Sequence, residues 1–343
     1  MHVERTLKLA IQLGRAAVVH KVGVYARMIS PFYRIPGDKK AQVSAVGLDA
    51  APAEPWGVKA SMHHESARAL ALVDGLNLVL LRPGLMYGDY TVTGITPRLL
   101  IAEVYKFLGE KLEFLWAEGL PQGTVHVRDC AVAAVKAVEW AAKTAKEDRL
   151  RLAGEELPTT LKSNELIKGI DGAAKKEDSA RAVVFSLVDD GSTTQADIAK
   201  AVGEAVGVES GFHGTIISSF AKLNMGDVLE DVNDKHLEAW SELLNASDPP
   251  ISTVLPISPH VVSQTCWLRL GGPKLSGGLT LNDPLVLQPA DLLQPYPINF
   301  SSAKLKTVLG FQPEYKLLPG VLKQAIDRFK KDGNWPVAQP KKR

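Results

Sequence analysis

Arg82-Pro83-Gly84 and Tyr87-Gly88 follow directly on the apolar run Leu78 to Leu81, and this junction is where the sequence could place chemistry. The run is short, β-compatible and apolar on both faces, the pattern of a buried strand in a parallel sheet. Proline cannot extend a central strand and glycine permits a sharp change of direction, so the strand is expected to stop at Arg82-Pro83-Gly84. Ligands of open α/β sheets sit outside the carboxyl ends of the strands. A bound cofactor would therefore be sought first at Pro83 to Gly88. A second polar group is His63-His64-Glu65. Adjacent histidines diverge on a helix, whereas zinc-binding helices use an i, i+4 pair, so this group reads as a solvated helix face and no metal site is expected. No Gly-x-Gly-x-x-Gly, Walker loop or Gly-x-Ser-x-Gly elbow is present, and Gly271-Gly272 and Gly277-Gly278 lie in a Pro/Gly-rich stretch of the wrong context.

The elements that must position these residues alternate. Glu4 to Val18 is basic and amphipathic, and reads either as a presequence or as a surface helix with Leu7, Ala10, Ile11, Gly14, Ala17 and Val18 inward. Lys21 to Ile29 reads as a strand, Arg34 to Pro55 as a long loop, and Trp56 to about Val73 as a helix closed by Gly75. Thr96-Pro97 opens a helix to about Leu108, and Leu112–Trp116 and Thr124–Val127 read as short strands. Ala131 to Lys146 is an alanine-rich helix that Asp129 is placed to cap. Lys143 to Lys176 reads as a linker, Val183 to Val188 as a strand, and Thr193 or Thr194 as the cap of a helix from Gln195 to Val206. Ile216 to Leu244, Ala303 to Leu309 and Pro319 to Lys331 read as further helices, and Gln264 to Pro289 as an insertion loop. Alternating strands and helices imply parallel strands with helices covering the sheet.

The bulk numbers narrow the class. A chain of 343 residues with 45% hydrophobic and 23% charged residues can bury a substantial core. A net charge of +2 recommends neither nucleic acid nor a membrane surface as partner. Two cysteines, Cys130 and Cys266, make no disulfide framework, and reduced thiols in a cytoplasmic protein are expected. No apolar run reaches the length of a membrane-spanning helix.

Four ordered segments carry a resemblance. Arg82-Pro83-Gly84-Leu85-Met86-Tyr87-Gly88 is similar to an Arg-Pro-x-x-x-Tyr-Gly turn. His126-Val127-Arg128-Asp129 is similar to a His-Val-x-Asp helix start, and Lys304 to Pro313 to a Lys-x-x-x-x-Leu-Gly-Phe-x-Pro signature. With Trp56-Gly57-Val58-Lys59 standing where Tyr-x-x-x-Lys would be, the chain resembles an extended short-chain dehydrogenase/reductase, closest to the NAD-dependent epimerase/dehydratase family in a fungal-type branch. The resemblance implies NAD or NADP as cofactor, with Pro83, Gly84 and Leu85 against its nicotinamide side. Lys59 has two readings, a ribose-binding family lysine or an exposed helix lysine. Tyr33 is a substitute phenol near the strand end or a packed loop aromatic. An indole at Trp56 cannot serve as a general acid or base. Against the family pattern the chain begins after the Gly-rich phosphate loop, so an N-terminal truncation is expected.

The expected fold is α/β: an incomplete Rossmann-like, doubly wound parallel sheet with a smaller α-rich substrate domain. The expected division is 1–150 for the Rossmann-like part and 151–335 for the cap, strand 183–188 returning to the sheet, then a tail at 336–343. The expected function is NAD(P)-dependent oxidoreductase or epimerase/dehydratase chemistry on a small metabolite, in secondary metabolism, with Lys59 and Tyr33 as catalytic candidates. The alternatives are an inactive relative that acts as a binding protein, and cofactor-independent chemistry around Tyr33, Lys59 and Tyr87. A homodimer is the expected assembly.

Overall fold

A computed structural model describes residues 3–35, 53–159, 167–214, 236, 239–248 and 296–338. The sequence-predicted insertion Gln264 to Pro289 and most of the helical stretch from Ile216 lie outside them. The chain forms two compact units. The first comprises Met1–Gly84, Gln122–Ser192 and Tyr296–Lys316; the second comprises Leu85–Pro121, Thr193–Pro295 and Leu317–Arg343.

The first unit is a Rossmann-like α/β layer structure. Its elements are α1 (Leu9–Val19), β1 (Tyr25–Met28), β2 (Tyr33–Arg34), β3 (Glu54–Pro55), α2 (Val58–Ala71) and β4 (Leu78–Pro83). In the second unit, β5 (Leu85–Tyr87), α3 (Thr96–Leu108) and β6 (Leu112–Phe114) follow. The chain then returns to the first unit with β7 (Thr124–His126), α4 (Val127–Lys143), α5 (Lys146–Ala153), β8 (Gly154–Glu156) and β9 (Arg181–Leu187). The four-stranded sheet has the order β1-β4-β9-β8. β1, β4 and β9 are parallel, and β8 runs antiparallel to β9. All of Leu78 to Pro83 is buried, as expected of a strand covered on both faces.

Helices cover both faces of this sheet. Val79, Leu81, Val183 and Phe185 share one face, where Trp140 of α4 meets Phe185 edge-on with ring centroids 5.5 Å apart. The opposite face carries Leu80, Arg82, Val184 and Ser186, and α2 lies over it. Beyond α2, the buried side of the N-terminal helix packs through Leu7 and Ile11 against Met62, Ala69 and Ile167. The inward set predicted for this helix is thus a real core face: Ala10, Ile11, Gly14 and Ala17 are buried.

Several local expectations need correction. β4 does not stop before Pro83 but includes it. Gly84 N–H donates to Leu187 O at 2.8 Å, so the even residues of β4 face β9. The missing donor of Pro83 therefore points the other way, past the end of β1, where it removes no ladder bond. Asp129 does not cap α4, which starts at Val127 with the His126 ring as its cap, Nδ1 accepting from Arg128 N–H at 3.3 Å. The Asp129 carboxylate instead accepts the N–H groups of Glu314 and Tyr315 at 3.0–3.2 Å. The predicted linker from Lys143 contains α5 and β8, and β8 extends the sheet.

The second unit is mainly helical. It contains α3, α6 (Gln195–Val206) and, after α7 (Ala303–Thr307) of the first unit, α8 (Pro319–Lys331). Within it β6 pairs in parallel with β10 (Ser210–Phe212). The helix boundaries follow from local chemistry. Thr194 and Asp197 form a capping box at α6, Pro97 sits in the first turn of α3, and Gly109 ends α3 at φ 67°. Trp335 is fully buried and its indole N–H donates to Glu103 Oε1 at 3.0 Å, so the polar atom of the largest core side chain is satisfied. Among the described residues no helix is long and apolar enough to cross a membrane.

Candidate functional site

The polar residues of the first unit converge on the α2 face of the sheet. Tyr33 has no exposed surface, and its hydroxyl lies 3.1 Å from His64 Nδ1. His64 Nε2 lies 2.7 Å from Pro158 O. A carbonyl can only accept, so Nε2 carries the hydrogen, Nδ1 accepts, and the Tyr33 O–H donates. Burial pushes the His64 pKa down to about 4 and raises that of Tyr33 well above the ordinary phenol value. Both groups are therefore neutral near pH 7. The Arg82 guanidinium stacks over the Tyr33 ring at 4.5 Å, which opposes part of the phenol's upward shift.

Charged groups complete the cluster. Glu155 holds Arg82 Nη2 at 3.0 Å with one oxygen and Lys304 Nζ at 2.6 Å with the other. Burial lowers the Lys304 pKa while Glu155 opposes the change. Beside them, Glu65 and Arg68 form a fully buried pair at 2.8 Å. Arg68 also donates to the carbonyls of Leu157, Lys175 and Asp178, which fastens α2 to the segment that follows β8. The sequence reading of His63-His64-Glu65 as a solvated face is overturned, since His64, Glu65, Ser66 and Arg68 are all at 0% exposure. The i, i+3 spacing of Glu65 and Arg68 is readable from the sequence as a helical ion pair, but it carries no sign of burial.

The sequence-predicted site residues occupy different settings. Tyr33 is inside the cluster. Lys59 is the second residue of α2, and its side chain lies outside the described residues. Trp56 is buried between Phe32 and Tyr296, with ring centroids 4.5 and 5.5 Å away, and its indole N–H has no acceptor among the described residues. Ser30 is buried, and its hydroxyl accepts from Phe32 N–H at 3.2 Å. Pro83 is the buried last residue of β4, and Leu85 is the buried first residue of β5 in the second unit. Gly84 lies against Gly123: a Cβ added there would meet Gly123 O at 2.5 Å and Gly123 C at 2.9 Å.

These observations test the fit of a dinucleotide. A pyrophosphate needs a glycine-lined turn between a strand and a helix, open to the ligand. The glycines with open space where a Cβ would go, such as Gly23, Gly119, Gly207 and Gly310, do not stand in such a turn. At Gly84 the space is filled by the chain's own backbone. None of these five glycines therefore offers a pyrophosphate the cradle that NAD or NADP requires. Nor is there a group of three or more histidine, cysteine or carboxylate ligands for a metal among them.

No family profile and no curated protein matches the chain. Solved structures show a remote likeness. Over 62% of this chain and 57% of the other, it is 16% identical to the Thermus thermophilus UDP-glucose 4-epimerase in complex with NAD, with a TM-score of 0.39. The chain thus spans little more than half the length of that enzyme. The Bordetella bronchiseptica enzyme WbmG in complex with NAD and UDP is 11% identical, with 98% and 70% covered and a TM-score of 0.47. A nucleoside-diphosphate-sugar epimerase from Pseudomonas aeruginosa is 14% identical, with 97% and 75% covered and a TM-score of 0.47. The fold itself is an α/β, Rossmann-like sheet with flanking helices and a second, helical unit.

Proposed function

We propose that this chain is a catalytically silent relative of the NAD(P)-dependent epimerases and dehydratases, with its first unit serving as a binding scaffold. The observation that carries this reading is the sealed Tyr33 hydroxyl, fully buried and donating to His64. A phenol acting as general acid or base must reach substrate and titrate near the working pH. Tyr33 has neither property, because burial seals it and raises its pKa. Calorimetric titration with NAD, NADH, NADP, NADPH and UDP-glucose to millimolar levels tests the reading. No saturable heat is expected. Saturable nucleotide binding together with hydride transfer to a small metabolite overturns it.

The second reading is an NAD(P)-dependent oxidoreductase or epimerase/dehydratase acting on a small metabolite. Its support is the ordered motif through Pro83, Gly84 and Leu85, with Lys59 in the first turn of α2. It predicts that Lys59→Ala abolishes turnover. Equal rates in wild type and variant reject it.

A further inference from the structure

The β2–β3 pair has two faces of different character. Tyr33 turns to His64 and into the buried cluster. Successive side chains of a strand point to opposite faces, so Phe32 and Arg34 share the other one. Arg34 pairs in register with Glu54 and Tyr33 with Pro55, and Trp56 N–H donates to Phe32 O at 3.0 Å. Trp56 is therefore the diagonal neighbour of Arg34 on that face, and such neighbours have Cβ atoms within about 8 Å of each other. Both side chains border one ring. The Arg34 guanidinium lies over Tyr296, 4.0 Å from the ring centroid, and the Trp56 ring meets the same ring at 5.5 Å and 65°.

Two donors on this face lack the partner that their chemistry calls for. Trp56 is 6% exposed, and its Nε1–H has no acceptor among the described residues. Tryptophan N–H groups usually find an acceptor when buried. Arg34 is half-buried, and among the described residues its guanidinium makes no ion pair and no hydrogen bond, only the contact with Tyr296. Glu54 stands opposite Arg34 but is exposed. The adjoining start of α2 adds to the same field. Gly57, at φ 83°, precedes Val58 and has no side chain to cap the first amides of the helix, and such an end favours negative charge.

We propose that this face binds the oxyanion group of a small molecule, a carboxylate or a phosphate. One oxygen pairs with the Arg34 guanidinium and another accepts the Trp56 indole N–H, while the Tyr296 ring keeps the guanidinium in place. The proposal deepens the binding-scaffold reading and rests on it. That reading falls on nucleotide binding with hydride transfer, whereas the probes for this site carry no nucleotide, so each can fail alone.

The test uses the full chain labelled with nitrogen-15 at its six tryptophans, read as indole N–H signals by NMR. Trp56→Phe identifies the Trp56 signal by its disappearance. Inorganic phosphate and acetate are titrated in separate arms, with ionic strength held constant by chloride. A saturable shift of the Trp56 indole is expected, and the arm with the tighter midpoint names the group that the ligand carries. Arg34→Gln should weaken that midpoint by at least about tenfold. Glu54→Gln removes the opposing charge from the same face and should tighten it. If Trp56→Phe does not fold, the indole signal that shifts in wild type and fails to shift in Arg34→Gln decides. No saturable shift at tens of millimolar anion, an equal shift with chloride alone, or a midpoint indifferent to Arg34→Gln overturns the proposal. So does oxyanion binding that appears only after Asp38 and Asp49 are replaced by asparagine, because the chain then fills the site with its own carboxylates.

Discussion

The two edges of the four-stranded sheet end it in opposite ways. At β8 the edge is three residues long and antiparallel, and its central residue, Glu155, is tied inward to Arg82 and Lys304. At β1 the edge is parallel, its outward residues are Ala26 and Met28, and the Arg27 Nε–H has no acceptor among the described residues. Charge and shortness are ordinary means of closing an edge, whereas parallel sheets normally have both faces covered. The contrast assigns the β8 side to the folding core of this unit, while at β1 no described strand lies beyond the edge. Substitutions on the first side should act on stability, and those on the second should leave stability alone.

The largest effect is expected at Glu155. Glu155→Ala leaves Arg82 and Lys304 facing each other without their shared carboxylate, and removing one partner of a buried ion pair costs about 3–5 kcal/mol. Urea unfolding followed by far-ultraviolet circular dichroism reads it; a loss within experimental error would erase the distinction between the edges.

His64 extends the test to pH. Its folded pKa of about 4 lies below the ordinary 6.5. As pH falls through this window the unfolded chain takes up a proton that the folded chain does not. The contribution is complete above pH 6.5 and is lost progressively toward pH 4, by roughly 3 kcal/mol at the acid end. The measurement is the difference in unfolding free energy between wild type and His64→Gln across the window. A difference that does not change with pH would mean that the imidazole is not held neutral against Tyr33 and Pro158.

Gly84→Ala is next. The added methyl meets the backbone of Gly123, which cannot swing away as a side chain could, so a loss of about 1–3 kcal/mol is expected. Thermal unfolding checks it, and an unperturbed midpoint would show that Gly84 is free for a ligand's approach. The smallest effect belongs to the β1 side. Val135→Asp on exposed α4 should change stability by no more than about 0.5 kcal/mol. Destabilisation well beyond that would place Val135 in the core instead.

Much of the framework is legible because its signals are local. Pro97 and Gly109 bracket α3, Thr194 and Asp197 start α6, and the apolar run of β4 declares its two covered faces. β8 escapes a sequence reading because Gly154-Glu155-Glu156 has no strand composition; pairing with β9 and the cations around Glu155 make it a strand. Asp129 reads as the cap of α4 because aspartate is a common cap. Its carboxylate is in fact engaged by the distant N–H groups of Glu314 and Tyr315.

The alternation of strands and helices, the burial of Leu78 to Leu81, and the ends of the helices that carry their own caps are thus written in the chain itself. They depend on periodicity and on contacts a few residues apart. The fate of the polar groups was settled only by tertiary structure. A histidine, a glutamate and an arginine on one helix read as solvated because charge favours water. Here Tyr33, Pro158 and the carbonyls of residues far along the chain take the place of that water. Tertiary structure also settled which edge of the sheet stays open, since a strand's two neighbours are chosen by the whole fold and are not encoded in the strand's own residues.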